Sequence, residues 1–168
     1  MSPTSTRGHA KRTRTAVPIV SGRHGCVAAG MLGGMPVAFA DLRDSYPTEQ
    51  SPCGDGWENQ CAIRMSIALV GAGFDFDGYG DPLCSHGHAR GAESLANHLW
   101  REWGAPRVYR DGSSAKRAIG TAQGIVLFKD ISGFRGGLGD HIDLWTGTST
   151  MTGEYFNYCK QVWFFRCD

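Results

Sequence analysis

The sequence predicts an α+β domain in which a central helix packs on an antiparallel β-sheet. Its 168 residues fit a single domain with one hydrophobic core and one active site. The 24 glycines favour a loop-rich domain over a helical bundle. Helical patterns come first along the chain and strand patterns follow, an order that is typical of segregated α+β folds.

Four segments have helical patterns, and they span residues 37–43, 61–70, 92–103 and 113–120. The second segment is almost wholly apolar, so we expect a buried helix rather than a surface one. Gly71 and Gly73 are its stop signals. Asn59 stands just before it and is the candidate N-cap, which places Cys61 in the first turn.

Three later segments have the composition of strands, and they span residues 124–129, 141–145 and 161–166. Successive side chains of a strand point to opposite faces. Ile142 and Leu144 therefore share one face. His141, Asp143 and Trp145 share the other, so a histidine and a carboxylate lie side by side.

Charge divides the chain into a basic N-terminal segment and a mildly acidic remainder. Residues 1–40 carry five Lys or Arg and no carboxylate, which leaves 12 basic and 16 acidic residues for the rest. We interpret residues 1–35 as disordered or leader-like and residues 36–168 as the folded domain. An acidic domain argues against nucleic-acid binding, and the absence of about 18 consecutive apolar residues argues against membrane insertion.

The six cysteines indicate that the protein works in an oxidising compartment. Their spacings match no zinc ribbon or finger, so we expect no metal site. His86 and His88 follow Cys84 closely, and we interpret this segment as a polar loop near the cleft rather than as a metal site. Connectivity cannot be read from sequence, and the candidate disulfides are Cys159 with Cys167 and Cys53 with Cys84.

Cys61 is the candidate nucleophile. The free N–H groups and the dipole of a helix N-terminus favour a thiolate over a thiol. Taken alone, the position of Cys61 favours a half-cystine or a small core residue over a nucleophile. His141 changes the balance, because a neutral imidazole can take the thiol proton and Asp143 can orient the imidazole.

Three blocks of sequence together resemble the fourth family of type VI secretion amidase effectors. They are Asn59-Gln60-Cys61-Ala62-Ile63-Arg64-Met65-Ser66, Gly139-Asp140-His141-Ile142-Asp143-Leu144-Trp145 and Val162-Trp163-Phe164-Phe165. These effectors are compact relatives of the NlpC/P60 papain-like peptidases. The resemblance implies a papain-like, NlpC/P60-type fold with the cysteine on the central helix and the histidine on the sheet.

The resemblance also implies a function. It predicts a cysteine amidase that hydrolyses the bond between D-glutamate and meso-diaminopimelate in the peptidoglycan stem peptide, without metal or organic cofactor. It further implies secretion into the periplasm of a target bacterium and a cognate immunity protein that protects the producer. Cys61 matches the nucleophile of the family and His141 its base.

The resemblance does not determine the acid, the oxyanion donors or the residue that contacts the substrate. Asp143 is our preferred acid because it belongs to a matched block, and Glu154 is the alternative. The backbone N–H of Cys61 is a natural oxyanion donor, with the side chain of Asn59 or Gln60 as a second. Trp57, in the glycine-rich loop before the nucleophile, is the candidate for substrate contact.

Two other functions remain open from the sequence. One is a housekeeping cell-wall endopeptidase exported by its own leader. The other is a disulfide-stapled extracellular binding module in which Cys61 is bridged. The state of the Cys61 thiol separates the binding module from both enzymes.

Overall fold

The computed structural model describes residues 37–167, so the predicted segment 1–35 lies outside the described residues. In chain order the elements are α1 (Phe39–Asp44), α2 (Cys61–Gly71), α3 (Ala92–Trp103), β1 (Arg107–Tyr109), α4 (Gly112–Ile119), β2 (Gly124–Ile131), a 3-10 helix (Arg135–Gly137), β3 (Gly139–Trp145) and β4 (Gln161–Arg166). The helices and strands predicted from sequence are all present. The sequence patterns missed β1, which has three residues and a largely exposed face.

The four strands form one antiparallel sheet in the order β1-β4-β2-β3. This arrangement confirms the predicted α+β class with an antiparallel sheet. Among the described residues β3 is an edge strand that pairs with β2, and Phe128 is the partner of His141. The histidine therefore lies at the margin of the sheet, where a helix can reach it.

Helices cover both faces of the sheet. On one face α1, α2 and α3 enclose the larger core, which includes Ile142 and Leu144. On the other face α4 packs on a smaller core that includes Trp145. The predicted alternation of faces along β3 is therefore confirmed for its apolar residues.

The buried character of α2 is also as predicted, since Ala62, Met65 and Leu69 are all fully enclosed. Its predicted cap is wrong. Gln60, not Asn59, occupies the N-cap position, and no side chain caps the first turn. The side chain of Gln60 turns away from the helix toward the preceding loop, so it does not cap the N–H groups of the first turn.

A β-bulge at the end of β2 shapes the edge of the sheet beside His141. The register with β3 shifts between Phe128 and Ile131, and Asp130 takes a positive φ of 55°. The Asp140 carboxylate holds this backbone by accepting the Asp130 N–H at 2.9 Å. The bulge and the 3-10 helix after it make up the connection from β2 to β3.

Both predicted disulfides are wrong. Cys53, Cys84 and Cys159 are free, whereas Cys167 is disulfide-bonded. Cys159 and Cys167 stand at opposite ends of extended strand β4. Eight residues of extended chain span roughly 26 Å, far beyond the roughly 7 Å limit for the Cα atoms of a disulfide.

Within residues 37–167, no helix combines the length and apolar character that crossing a bilayer requires.

Candidate active site

The N-terminus of α2 meets the edge of the sheet at β3 and brings Cys61 against His141. The Cys61 thiol lies next to the His141 imidazole and to the backbone N–H groups of Ala62 and Ile142, and all three lower its pKa. One of these donors belongs to the first turn of the helix and the other to the edge strand. The sulfur therefore lies between two elements that both offer positive partial charge.

These contacts favour the thiolate. Burial on its own would raise the pKa of Cys61, but the hydrogen bond and charge of His141, with the N–H groups of Ile142 and Ala62, outweigh it and lower the pKa. A reactive rather than inert cysteine is the physical consequence.

His141 is held from several sides. Its Nε2 lies 3.4 Å from Oδ2 of Asp143 and 3.4 Å from Oγ1 of Thr152, which leaves Nδ1 for the thiol. Its ring stacks on Phe128 and meets Tyr155 edge-on. Burial alone would lower the pKa of His141, but the carboxylate of Asp143 and the sulfur of Cys61 outweigh it and raise the pKa to about 9. Each partner therefore favours the charged form of the other, which is the direction that a thiolate–imidazolium pair requires.

Asp143 is wholly buried, and its carboxylate is saturated with hydrogen bonds. Oδ2 accepts the Thr152 N–H at 2.7 Å, the Thr152 hydroxyl at 2.9 Å and the Gly153 N–H at 3.0 Å. Oδ1 accepts the Tyr46 hydroxyl and the Leu144 N–H, each at 2.8 Å. Burial opposes its ionisation, but His141 and these donors outweigh burial and lower the pKa of Asp143. Asp143 is therefore a fixed anion at the far side of the imidazole.

The alternative acid, Glu154, lies elsewhere. Its Oε1 is 2.5 Å from Nζ of Lys116 on α4, in a largely exposed ion pair. The turn after Thr152 directs Glu154 toward α4, while the N–H groups of the same turn point at Asp143. The structure thus brings Asp143 to His141 and keeps Glu154 with a lysine.

Tyr46 had no predicted role, but its hydroxyl donates a hydrogen bond to Asp143 from 97 residues away. Tyr46 is almost fully buried, and burial together with the nearby Asp143 charge raises its pKa. It therefore stays a neutral hydrogen-bond donor. The only signal in the sequence was the position of Tyr46 beside Pro47 at the end of a predicted helix, which does not reveal so distant a contact.

Gln60 is placed differently from the sequence prediction. It is buried, and its amide donates to the carbonyls of Cys53 and Trp57 and accepts the Cys53 N–H. Both amide protons are therefore committed to the loop before α2. Gln60 organises the entry to the helix and does not offer a donor to an oxyanion. Asn59 is exposed and lines the cleft, so it is the better placed of the two amides.

Two adjoining cavities meet at Cys61. One has a volume of about 460 Å³ and the other about 280 Å³. Glu58, Asn59, Cys61 and Phe134 line both. The larger cavity is also lined by Trp57, Pro82, Arg90, Gly91, Ala92, Ser94 and Arg135. An extended substrate can therefore lie on both sides of the thiol.

Trp57 forms part of the wall of the larger cavity together with Arg90. The guanidinium carbon of Arg90 lies 3.5 Å from the centre of the Trp57 ring, a cation–π contact. Arg64, which points the other way from α2, donates to the backbone carbonyls of Glu49 and Gln50. Among the described residues that line the larger cavity, Arg90 and Arg135 are the ones that carry positive charge.

The arrangement supports nucleophilic attack on a carbonyl carbon. A thiolate can add to the carbonyl, the imidazolium can protonate the leaving amine, and a buried carboxylate can steady the imidazolium. The free N–H groups at the start of α2 can bind the oxyanion. Amide hydrolysis through a thioester is the chemistry that this geometry performs.

The pKa of Cys61 has a measurable consequence. The lowered pKa of Cys61 increases its thiolate fraction, whereas burial raises the pKa of Cys159 to about 11. We expect iodoacetamide at pH 6 to alkylate Cys61 at least about tenfold faster than Cys159. Peptide mapping by mass spectrometry measures both rates in one sample. Slow alkylation of Cys61 that accelerates only in alkaline solution would show an ordinary thiol, and the His141→Ala protein should behave in that way.

Comparison with known proteins places this geometry in context. The family model described as type VI secretion system (T6SS), amidase effector protein 4, abbreviated Tae4, matches residues 57–165. The matched segment contains both Cys61 and His141. No curated protein matches the sequence significantly.

Solved structures of Tae4 proteins share the fold. The type VI effector Tae4 from Enterobacter cloacae superposes with a TM-score of 0.65 at 17% identity, covering 82% of this chain and 100% of that chain. The Tae4–Tai4 effector-immunity complex from Salmonella Typhimurium gives 0.57 at 16% identity, with 77% and 95% covered. The corresponding complex from Enterobacter cloacae gives 0.54 at 18% identity, with 66% and 75% covered.

Proposed function

Because this chain belongs to the Tae4 family of type VI secretion system amidase effectors, we propose that it is an antibacterial toxin that hydrolyses peptidoglycan stem peptides with Cys61 as nucleophile. The observation that carries the assignment of residues is the contact of the Cys61 thiol with His141, which in turn contacts the buried carboxylate of Asp143. The free state of Cys61 argues against a binding module in which this cysteine is bridged.

The bond between D-glutamate and meso-diaminopimelate suits the cleft. Both residues of this bond carry a free carboxylate: the α-carboxylate of the γ-linked D-glutamate and the distal carboxylate of diaminopimelate. Arg90 and Arg135 line the larger cavity beside Cys61, and guanidinium groups pair well with carboxylates. We infer that the arginines hold the stem peptide while the scissile carbonyl lies over the sulfur.

The reaction proceeds in two halves. The Cys61 thiolate adds to the D-glutamyl carbonyl. The developing oxyanion accepts hydrogen bonds from the N–H groups at the start of α2. His141 gives its proton to the departing amine of diaminopimelate, which leaves a thioester on Cys61. His141 then takes a proton from water, the hydroxide adds to the thioester, and the thiolate leaves again. Asp143 steadies the imidazolium in each half without itself gaining a proton.

We extend the proposal to the architecture. A helix that carries the cysteine packs on an antiparallel sheet that carries the histidine, and this supports an NlpC/P60-type, papain-like domain. Residues 36–168 make up this amidase domain, and residues 1–35 are a separate segment that precedes it. No metal or organic cofactor takes part in the steps above.

The family also indicates where the protein works and what controls it. As a type VI effector, it is delivered into target bacteria. Its peptidoglycan substrate lies in the periplasm, so we propose that compartment as its place of action. Relatives of this chain form effector-immunity complexes with Tai4. A cognate immunity protein that covers the Cys61 cleft protects the producing cell.

Targeted expression in a Gram-negative tester strain examines the toxin role. Wild-type protein carrying a periplasmic signal should lyse the cells, whereas the same protein without the signal should not, because stem peptides in the wall are reached only from the periplasm. The Cys61→Ala protein is the matched control and should be harmless in both compartments. Equal toxicity of wild type and Cys61→Ala at equal accumulation would contradict an enzymatic toxin, as would toxicity confined to the cytoplasm.

A further inference from the structure

Two loops outside the catalytic triad meet in a cluster of metal-binding side chains. Cys53 and Asp55 come from the loop before α2, and Cys84 and His86 come from the loop before α3. One ligand atom from each of these four residues lies within 4.8 Å of all the others. We propose that this cluster, Cys53–Asp55–Cys84–His86, is a structural zinc site.

Two of the distances within the cluster are close to the edges of a tetrahedral zinc site. Zinc bonds of about 2.3 Å to sulfur and about 2.0–2.1 Å to nitrogen or oxygen give edges of about 3.6 Å for S···N and about 3.3 Å for N···O. The cluster has 3.4 Å between Cys53 Sγ and His86 Nδ1, and 3.6 Å between His86 Nδ1 and Asp55 Oδ1. Each of these two distances differs from the corresponding tetrahedral edge by a few tenths of an ångström.

A tight turn presents two of the ligands. The Gly87 N–H donates to the Cys84 carbonyl at 3.0 Å, and Gly87 takes a φ of +82° that favours glycine. The turn points the Cys84 sulfur and the His86 ring to one side. Cys53 and Asp55 repeat the same spacing of two residues on the opposing loop, so each loop contributes one thiol and one nitrogen or oxygen ligand.

Hydrogen bonds around the cluster fix its ligands. The second oxygen of Asp55 accepts the Ser85 N–H at 2.7 Å, and Oδ1 accepts the Ser85 hydroxyl at 2.5 Å. The Cys84 sulfur accepts the His88 N–H at 3.4 Å. Metal sites depend on such outer partners to orient their ligands. The cluster therefore has the supporting contacts of a built site as well as a set of donors.

The donor set selects the ion. Two thiolates, one imidazole and one carboxylate suit zinc, whereas calcium and magnesium prefer oxygen ligands alone. Four protein ligands close the coordination sphere and leave no position for substrate, which is the pattern of a structural site. On binding, Cys53 and Cys84 release their two thiol protons to solvent, so affinity falls as the solution becomes acidic.

The site would stabilise the entrance to the catalytic helix. The Gln60 side chain, next to Cys61 in sequence, is bonded to both the N–H and the carbonyl of Cys53. Trp57, two residues beyond Asp55, lies on Arg90 in the wall of the larger cavity. An ion that joins the loops would fix this wall, and the inference does not rest on the proposed amidase activity.

Cobalt binding to the full-length reduced protein tests the proposal. We expect Co²⁺ added to chelator-treated protein to give thiolate-to-cobalt charge-transfer bands and the intense visible bands of tetrahedral cobalt, at one ion per chain, with Zn²⁺ displacing them. The Cys53→Ser, Cys84→Ser and His86→Ala proteins should bind Co²⁺ at least about 100-fold more weakly, since even outer partners change metal affinity 10–100-fold.

Two variants separate the loss of a metal ligand from misfolding and from nonspecific binding by free thiols. His86 is largely exposed, so His86→Ala should fold and its loss of cobalt binding should report ligation alone. Cys159→Ser removes a free thiol outside the cluster and should bind as wild type does. Absence of the bands in wild-type protein would overturn the proposal, as would unchanged binding by His86→Ala. If the reduced protein does not bind Co²⁺ and the oxidised protein forms a Cys53–Cys84 disulfide, the two cysteines are a redox pair and the zinc proposal is wrong.

Discussion

Replacing Cys61 by alanine is expected to lower kcat/KM for stem peptides by about 10⁵-fold or more, because removing a nucleophile disables the catalytic residues as a unit. His141→Ala should cost nearly as much, since the thiolate and the proton for the leaving amine both depend on His141. Steady-state cleavage of purified muropeptides, followed by chromatography, measures both losses.

The control for this prediction is Cys159→Ala, which removes another free cysteine. Because Cys159 packs beside the smaller core and lines neither cavity at Cys61, this variant should cut at close to the wild-type rate. Circular dichroism and thermal unfolding should show all three variants folded. Cleavage by folded Cys61→Ala within tenfold of wild type would remove Cys61 from the mechanism.

Asp143→Asn is the second large expected effect, with a loss of about 10²–10⁴-fold in kcat. The asparagine amide cannot accept from His141, Tyr46, Thr152 and Gly153 as the carboxylate does. The imidazolium also loses the anion that helps to raise its pKa to about 9. The alkaline limb of the pH–rate profile should therefore move to lower pH in this variant, a change that a merely structural defect would not produce.

Glu154→Gln is the matched carboxylate control. Because Glu154 pairs with Lys116 on an exposed surface, its amide variant should keep activity within about twofold of wild type. The opposite ranking, with Glu154→Gln inactive and Asp143→Asn active, would transfer the role of the acid to Glu154.

Local patterns were sufficient to predict most of the fold. The apolar run of α2, bounded by glycines, and the alternation along β3 each determine an element and its buried face without reference to the rest of the chain. Strand β1 escaped prediction because three residues with exposed side chains carry no periodic signal. The N-cap of α2 was misplaced because the hydrogen bonds that position Gln60 come from Cys53, seven residues away.

The site was predictable only in part, for a related reason. A thiol at a helix start and a histidine on a strand are visible as residue types in a pattern. The hydrogen bond from Tyr46 to Asp143 joins residues 97 positions apart, and the ion pair that holds Glu154 depends on α4. The Cys53–Asp55–Cys84–His86 cluster likewise forms only when two loops meet, so its spacing resembled no zinc motif.

Mass spectrometry of muropeptides digested by the wild-type protein tests the central claim most directly. A disaccharide tripeptide should yield one product that ends in D-glutamate and free diaminopimelate, and a digest in H₂¹⁸O should place the heavy oxygen on the new D-glutamyl carboxyl group. Cys61→Ala should leave the same substrate intact. Cleavage at another bond would contradict the proposed specificity, and an intact substrate after prolonged incubation with folded wild-type protein would contradict the amidase itself.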